Sequence, residues 1–155
     1  MGDVYTDNYA AAFNQSPGKL ISSEYWGAEK RTYGGNPGDK YEADALPSGS
    51  VIHVCRPPKG WRLQGGKITS DDLGNNTTLA VGTGVTGAGV AADPDKFMAA
   101  TNHGGGAAVQ TPLLGAAQID AIGHEFDGET DLIITTGTGA ATGTIVPLFE
   151  FSCAH

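Results

Sequence analysis

Four histidines, seventeen carboxylates and two cysteines are the side chains in this 155-residue sequence best able to do chemistry. His53 sits inside an apolar run, His103 and His124 in glycine-flanked loops, and His155 at the end of the sequence. No H-E-x-x-H or C-x-x-C pair sets two metal ligands on one turn, so no metal is expected. Asp127-Gly128-Glu129-Thr130-Asp131 alternates carboxylates as a calcium loop does. It lacks the D-x-D/N-x-D/N-G order and the later bidentate Glu, and it reads as a solvated acidic turn. No G-x-S-x-G elbow occurs, no serine has a supporting context, and nothing singles out a carboxylate pair for glycoside hydrolysis. The glycine-rich run 82–92 is not a phosphate loop, because the G-x-x-x-x-G-K-S/T spacing is missing. The expectation is a protein that is not an enzyme, with no catalytic residue and no cofactor.

Cys55 and Cys153 lie far apart in strand-like runs, and they read as buried small apolar residues rather than a disulfide. The first ten residues lack the basic start and apolar core of a signal peptide, and no run approaches the ~18 apolar residues of a membrane span. The net charge of −8 is unevenly placed. Up to Lys67 eight bases balance seven acids, whereas beyond it Lys96 alone faces ten. Such an acidic surface argues against nucleic acid as a partner, since phosphates need Lys and Arg. No membrane partner is expected either.

The elements that must position these groups are strands. With 24 Gly, 17% charged residues and apolar runs of four to six, the chain fits one all-β sandwich with long loops. Its strongest β signal runs from Val51 to Thr83. This stretch reads as a meander of three strands, broken by Pro57-Pro58 and by the turn cluster at Asp71–Asn76. Gly65-Gly66 marks a bulge or tight bend. Residues 29–33 and 40–45 read as short strands across a turn, and 107–111 and 116–122 as weak strands. Asp93-Pro94 is the best helix start, with Asp93 as cap and Pro94 in the first helical position. Residues 131–136 and 144–153 read as a closing hairpin, with Pro147 marking an edge or a bulge. Ile52, Val54, Leu63, Ile68, Leu79, Val81, Ile133, Ile134, Ile145 and Phe149 are the expected core.

Residues 1–28 form a separate arm ahead of a domain at 29–155. The arm carries Tyr5, Tyr9, Phe13, Leu20, Ile21, Tyr25 and Trp26 without a sustained period, too aromatic for a solvated tail. These seven are the candidate contact residues. The apolar run 82–92 is expected at a subunit interface.

Several segments resemble a known group. R-P-P-K-G-W-R-L at 56–63 places a proline-lysine-glycine turn before a strand. G-G-K-I-T-S-D-D-L-G-N-N-T-T-L-A-V-G-T follows at 65–83, D-P-D-K-F-M-A-A-T at 93–101, and a glycine-rich segment at 133–145. Over about Tyr33 to Phe151 this order is similar to small structural proteins of tailed bacteriophages. The resemblance implies a jelly-roll-like β-sandwich and a head decoration, or cement, protein. It would be made in the host cytoplasm and sit on the capsid exterior of the virion. Its partners would be the major capsid protein and itself, as a homodimer or homotrimer. The alternative is a sandwich module that recognises host glycans, with Trp26, Trp61 and Tyr33 as stacking candidates.

Overall fold

A computed structural model describes the backbone of residues 3–5, 24–25 and 28–34, and residues 40–154 with nearly all their side chains. Among the described residues eleven strands form two sheets. Sheet I runs β1 (Asp3–Tyr5), β5 (Val51–Cys55), β10 (Leu132–Gly137), β7 (Thr78–Thr83), β8 (Asp93–Asn102). Sheet II runs β2 (Glu24–Tyr25), β3 (Ala28–Gly34), β11 (Ala141–Ala154), β6 (Arg62–Ser70), β9 (Val109–Pro112). There β4 (Tyr41–Leu46) also pairs with β11.

The pairing is nested. β4 joins β11 and β5 joins β10; β11 then takes β6, and β10 takes β7; β6 and β7 end on β9 and β8. Eight antiparallel strands wrapped in this order are a jelly roll, two Greek keys closed over one core. The β-sandwich expected from the sequence is therefore present. Its strands are not a meander, because β5 and β7 lie in sheet I while β6 between them lies in sheet II. The loops around Pro57-Pro58 and Asp71–Asn76 cross between sheets instead of turning within one.

Three other readings change. The expected helix at Asp93 is the ten-residue edge strand β8. An edge tolerates Pro94 and exposed charges, and pairing with β7 buries Phe97 and Met98. Conversely, the expected strand at 116–122 is a 3-10 helix, Ala116–Ala121. The closing hairpin does not form either. β10 and β11 belong to different sheets, and 138–140 turn a corner between them.

β3 and β4 lie end to end along β11, with Ala154–Leu148 opposite Ala28–Gly34 and Ile145–Ala141 opposite Tyr41–Leu46. Pro147 falls level with the break between them, where neither supplies a ladder partner to miss its N–H. That is how a proline fits a strand flanked on both sides. The glycine pair does mark a bulge, since register slips where Glu150 faces Gly65 and Phe151 faces Leu63. Gly66 has φ +135, and a Cβ there would lie 2.0 Å from the Leu148 carbonyl oxygen.

All ten expected core residues are buried. Nine of them join one cluster with Phe97, Phe126 and Phe151, while Ile133 is buried apart from it. β7 is buried from Leu79 through Thr83, so β7 rather than β5 is the strand covered on both faces. Cys55 and Cys153 are buried thiols, and burial pushes the Cys55 pKa up.

Candidate interaction surface

The jelly roll sorts its loops to two unlike ends. Cys55, Thr83 and Leu132 share one level of sheet I, so the loops 56–61, 84–92 and 113–131 leave from one end. The loops 47–50, 71–77, 103–108 and 138–140 lie at the other.

That second end is stitched by short hydrogen bonds. Gly49 N–H donates to the Thr136 carbonyl at 2.7 Å, Leu73 N–H to that of His103 at 2.9 Å, and Thr142 N–H to that of Leu73 at 3.1 Å. His103, fully buried, is the centre of the stitching. Its Nδ1 lies 2.7 Å from Ser70 Oγ and its Nε2 3.1 Å from Thr111 Oγ1. Burial lowers its pKa and favours the neutral ring. A neutral histidine with both nitrogens bonded to hydroxyls is a structural plug.

The open end carries longer excursions tied at a few points. Phe126 N–H donates to the Trp61 carbonyl at 2.8 Å, and Gly60 N–H to that of Phe126 at 2.9 Å. Arg62 Nη2 reaches Glu125 Oε2 at 2.9 Å. The acidic turn is closed on itself. The Asp127 carboxylate accepts from Glu129 N–H at 2.8 Å, from the Thr130 hydroxyl at 2.8 Å and from Gly87 N–H at 3.2 Å. These donors hold the Asp127 carboxyl below its usual pKa, the Glu129 N–H first among them. Asp131 turns elsewhere, meeting His53 Nδ1 at 2.6 Å and Arg56 Nε at 2.7 Å. The two outer carboxylates of the calcium-like run thus serve different networks. Among the described residues no group of three metal-ligating side chains converges.

Among the described residues the strongly exposed large apolar side chains also gather at the open end. Val85 and Val90 are 62% exposed in the β7–β8 loop, and Ile119 and Ile122 are 67% and 60% exposed in and just after the 3-10 helix. A cleft of about 250 Å³ lies beside this helix, lined by Asp93, Asp95 and Lys96 of β8 and by Gln118 and Asp120. The sequence flagged the valines through their apolar, glycine-rich run. It missed the isoleucines, which read only as part of a weak strand over 116–122; their signal was Gly115 and Gly123 on either side of so short a segment.

The seven candidate contact residues of the arm are not gathered by the described structure. Tyr5 ends β1, with His53 as its register partner in β5, and Tyr25 lies in β2 opposite Ala28. Those two strands belong to different sheets. Tyr9, Phe13, Leu20, Ile21 and Trp26 lie outside the described residues. Of the glycan-stacking candidates, Trp61 is half-buried against the core, its ring centroid 5.7 Å from that of Phe151. Tyr33 is in β3, and Trp26 lies outside the described residues.

No family model and no curated protein matches the chain. Solved structures do share its fold. A chain from the capsid of Ralstonia phage GP4 superposes with a TM-score of 0.64 at 13% identity, over 99% of each chain. A chain from the cyanophage Pam1 capsid asymmetric unit superposes with a TM-score of 0.58 at 18% identity, over 94% of this chain and 96% of that one. At such identities the likeness is one of fold, and it runs through the whole jelly roll.

Proposed function

We propose that the chain is a structural component of a bacteriophage virion: a decoration protein that sits on the capsid exterior and cements contacts between major capsid subunits. The observation that carries this reading is the fold likeness to two phage capsid chains, end to end in both cases. The open end fits the same reading, since exposed valines and isoleucines on a rigid body are what a docking protein presents. In this role the protein needs a stable body and a gripping surface, and no catalytic residue. The β7–β8 loop, with Val85 and Val90 in water, is the contact between copies mounted side by side as a homodimer or homotrimer. The aromatic residues before 28 add a second grip on neighbouring capsid subunits.

Electron microscopy of the virion tests the assignment. Density for this jelly roll outside the shell, over the junctions between capsid subunits, is the expected result. Density inside the head or in the tail, or none at all, would overturn it.

A further inference from the structure

The proposed capsid contact leaves open what chemistry the partner surface must have, and the open end answers this. Building on that reading, we propose that the 3-10 helix and the start of β8 dock against a basic patch of the capsid subunit, with Ile119 and Ile122 against apolar surface and the cleft holding a lysine or arginine side chain.

The charge of the site selects the occupant. Asp93, Asp95 and Asp120 line the cleft, and Lys96 is the single cation among the described residues that line it. Lys96 Nζ lies 3.7 Å from Asp93 Oδ2, and among the described residues no ion pair neutralises Asp95 or Asp120. Two carboxylates beside a cleft that already contains one lysine attract a cation and repel an anion. A second copy presenting this same acidic face would bring like charges together, so the cleft takes a basic partner, while contact between copies falls to the β7–β8 loop beside it. A guanidinium fits the site best, because its planar fork can meet two carboxylates at once.

The isoleucines supply the second half of the contact. Ile119 immediately precedes Asp120, and Ile122 follows the helix, so apolar and acidic groups sit on one short element. Leu114 N–H bonds the Phe97 carbonyl of β8 at 2.8 Å, and Ala121 is buried in the core. This element is therefore seated on β8 before any partner arrives. A preformed surface loses little freedom on docking.

The test uses the full chain and undecorated heads of its own virion. Asp95→Asn with Asp120→Asn removes two exposed charges at nearly constant shape. Relative to wild type, the double variant is expected to bind heads about tenfold more weakly and with a flatter salt dependence, at an unchanged thermal midpoint. Ile119→Ser with Ile122→Ser should weaken binding without flattening the salt dependence. Asp72→Asn, at the stitched end, should bind as wild type. Equal affinity and equal salt dependence for Asp95→Asn/Asp120→Asn and wild type would overturn the proposal, as would a loss of self-association with head binding intact. Failure of the wild-type chain itself to bind heads would instead sink the cementing role.

Discussion

Ser70 Oγ and His103 Nδ1 lie 2.7 Å apart, joining the last residue of β6 in sheet II to the residue that follows β8 in sheet I. Thr111 of β9 bonds the other ring nitrogen, so three segments meet on one imidazole.

Acid should loosen that junction. Burial lowers the His103 pKa, whereas in the unfolded chain it titrates near 6.5. Between those two values the unfolded state binds more protons, so stability present above about pH 6.5 is lost as pH falls toward the folded pKa. His124, depressed by burial and then by Lys96, acts in the same direction. Thermal midpoints should fall as pH drops below about 6.5, and His103→Gln should reduce that slope while lowering the midpoint at pH 7. An unchanged slope in the variant would show that His103 does not carry the effect.

The glycine pair of β6 gives a sharp contrast. Gly66→Ala puts a Cβ against the Leu148 backbone at a φ of +135, and overpacking plus strain should cost about 3 kcal/mol or more. At Gly65 the nearest atom is Glu150 Oε2 at 3.9 Å, and alanine should cost less than about 1 kcal/mol. Chemical denaturation of both variants decides it; similar losses would mean that the backbone at 66 relaxes freely.

Phe149, Phe151 and Phe126 form a chain of rings through the core, with centroid separations of 6.4 and 6.0 Å. Phe126→Ala and Phe149→Ala should each cost about 3–5 kcal/mol. Losses below about 1 kcal/mol would contradict the packing.

The arm is tested by deleting residues 2–24. The body is expected to keep its cooperative thermal transition while binding to undecorated heads drops. If the truncated chain binds as tightly as the full one, the grip lies on the open end alone.

Copies should also communicate through the β7–β8 loop. Val85→Ser with Val90→Ser is expected to leave the midpoint unchanged and remove cooperativity from the head-decoration isotherm. Equal cooperativity would place the contact between copies elsewhere.

What the sequence made legible follows from the range of each signal. Alternation within a strand is local, so Ile52, Val54, Leu79 and Val81 could be assigned to the core without knowing their neighbours. Asp93-Pro94 carries a start signal that serves a helix and an edge strand equally, and only pairing with β7 separates the two. Gly137 to Ala141 is turn chemistry on either reading. Whether such a turn stays in a sheet or crosses to the other depends on β4, some hundred residues earlier, which pairs with Ala141. The charged cleft was illegible for the same reason, since β8 and the 3-10 helix meet only in three dimensions.

The nested pairing has a consequence for how the chain can be made. β10 and β11 occupy inner positions of their sheets, yet they are synthesised after every strand they join. Until Ala141–Ala154 exists, β4, β3 and β6 have no common neighbour, and sheet II is three separate ribbons. Folding must wait for these residues and then close long loops at once, a slow and aggregation-exposed route. Nascent chains stalled before Ala141 should be cut rapidly by protease, and chains extended well past Ala154 should resist it.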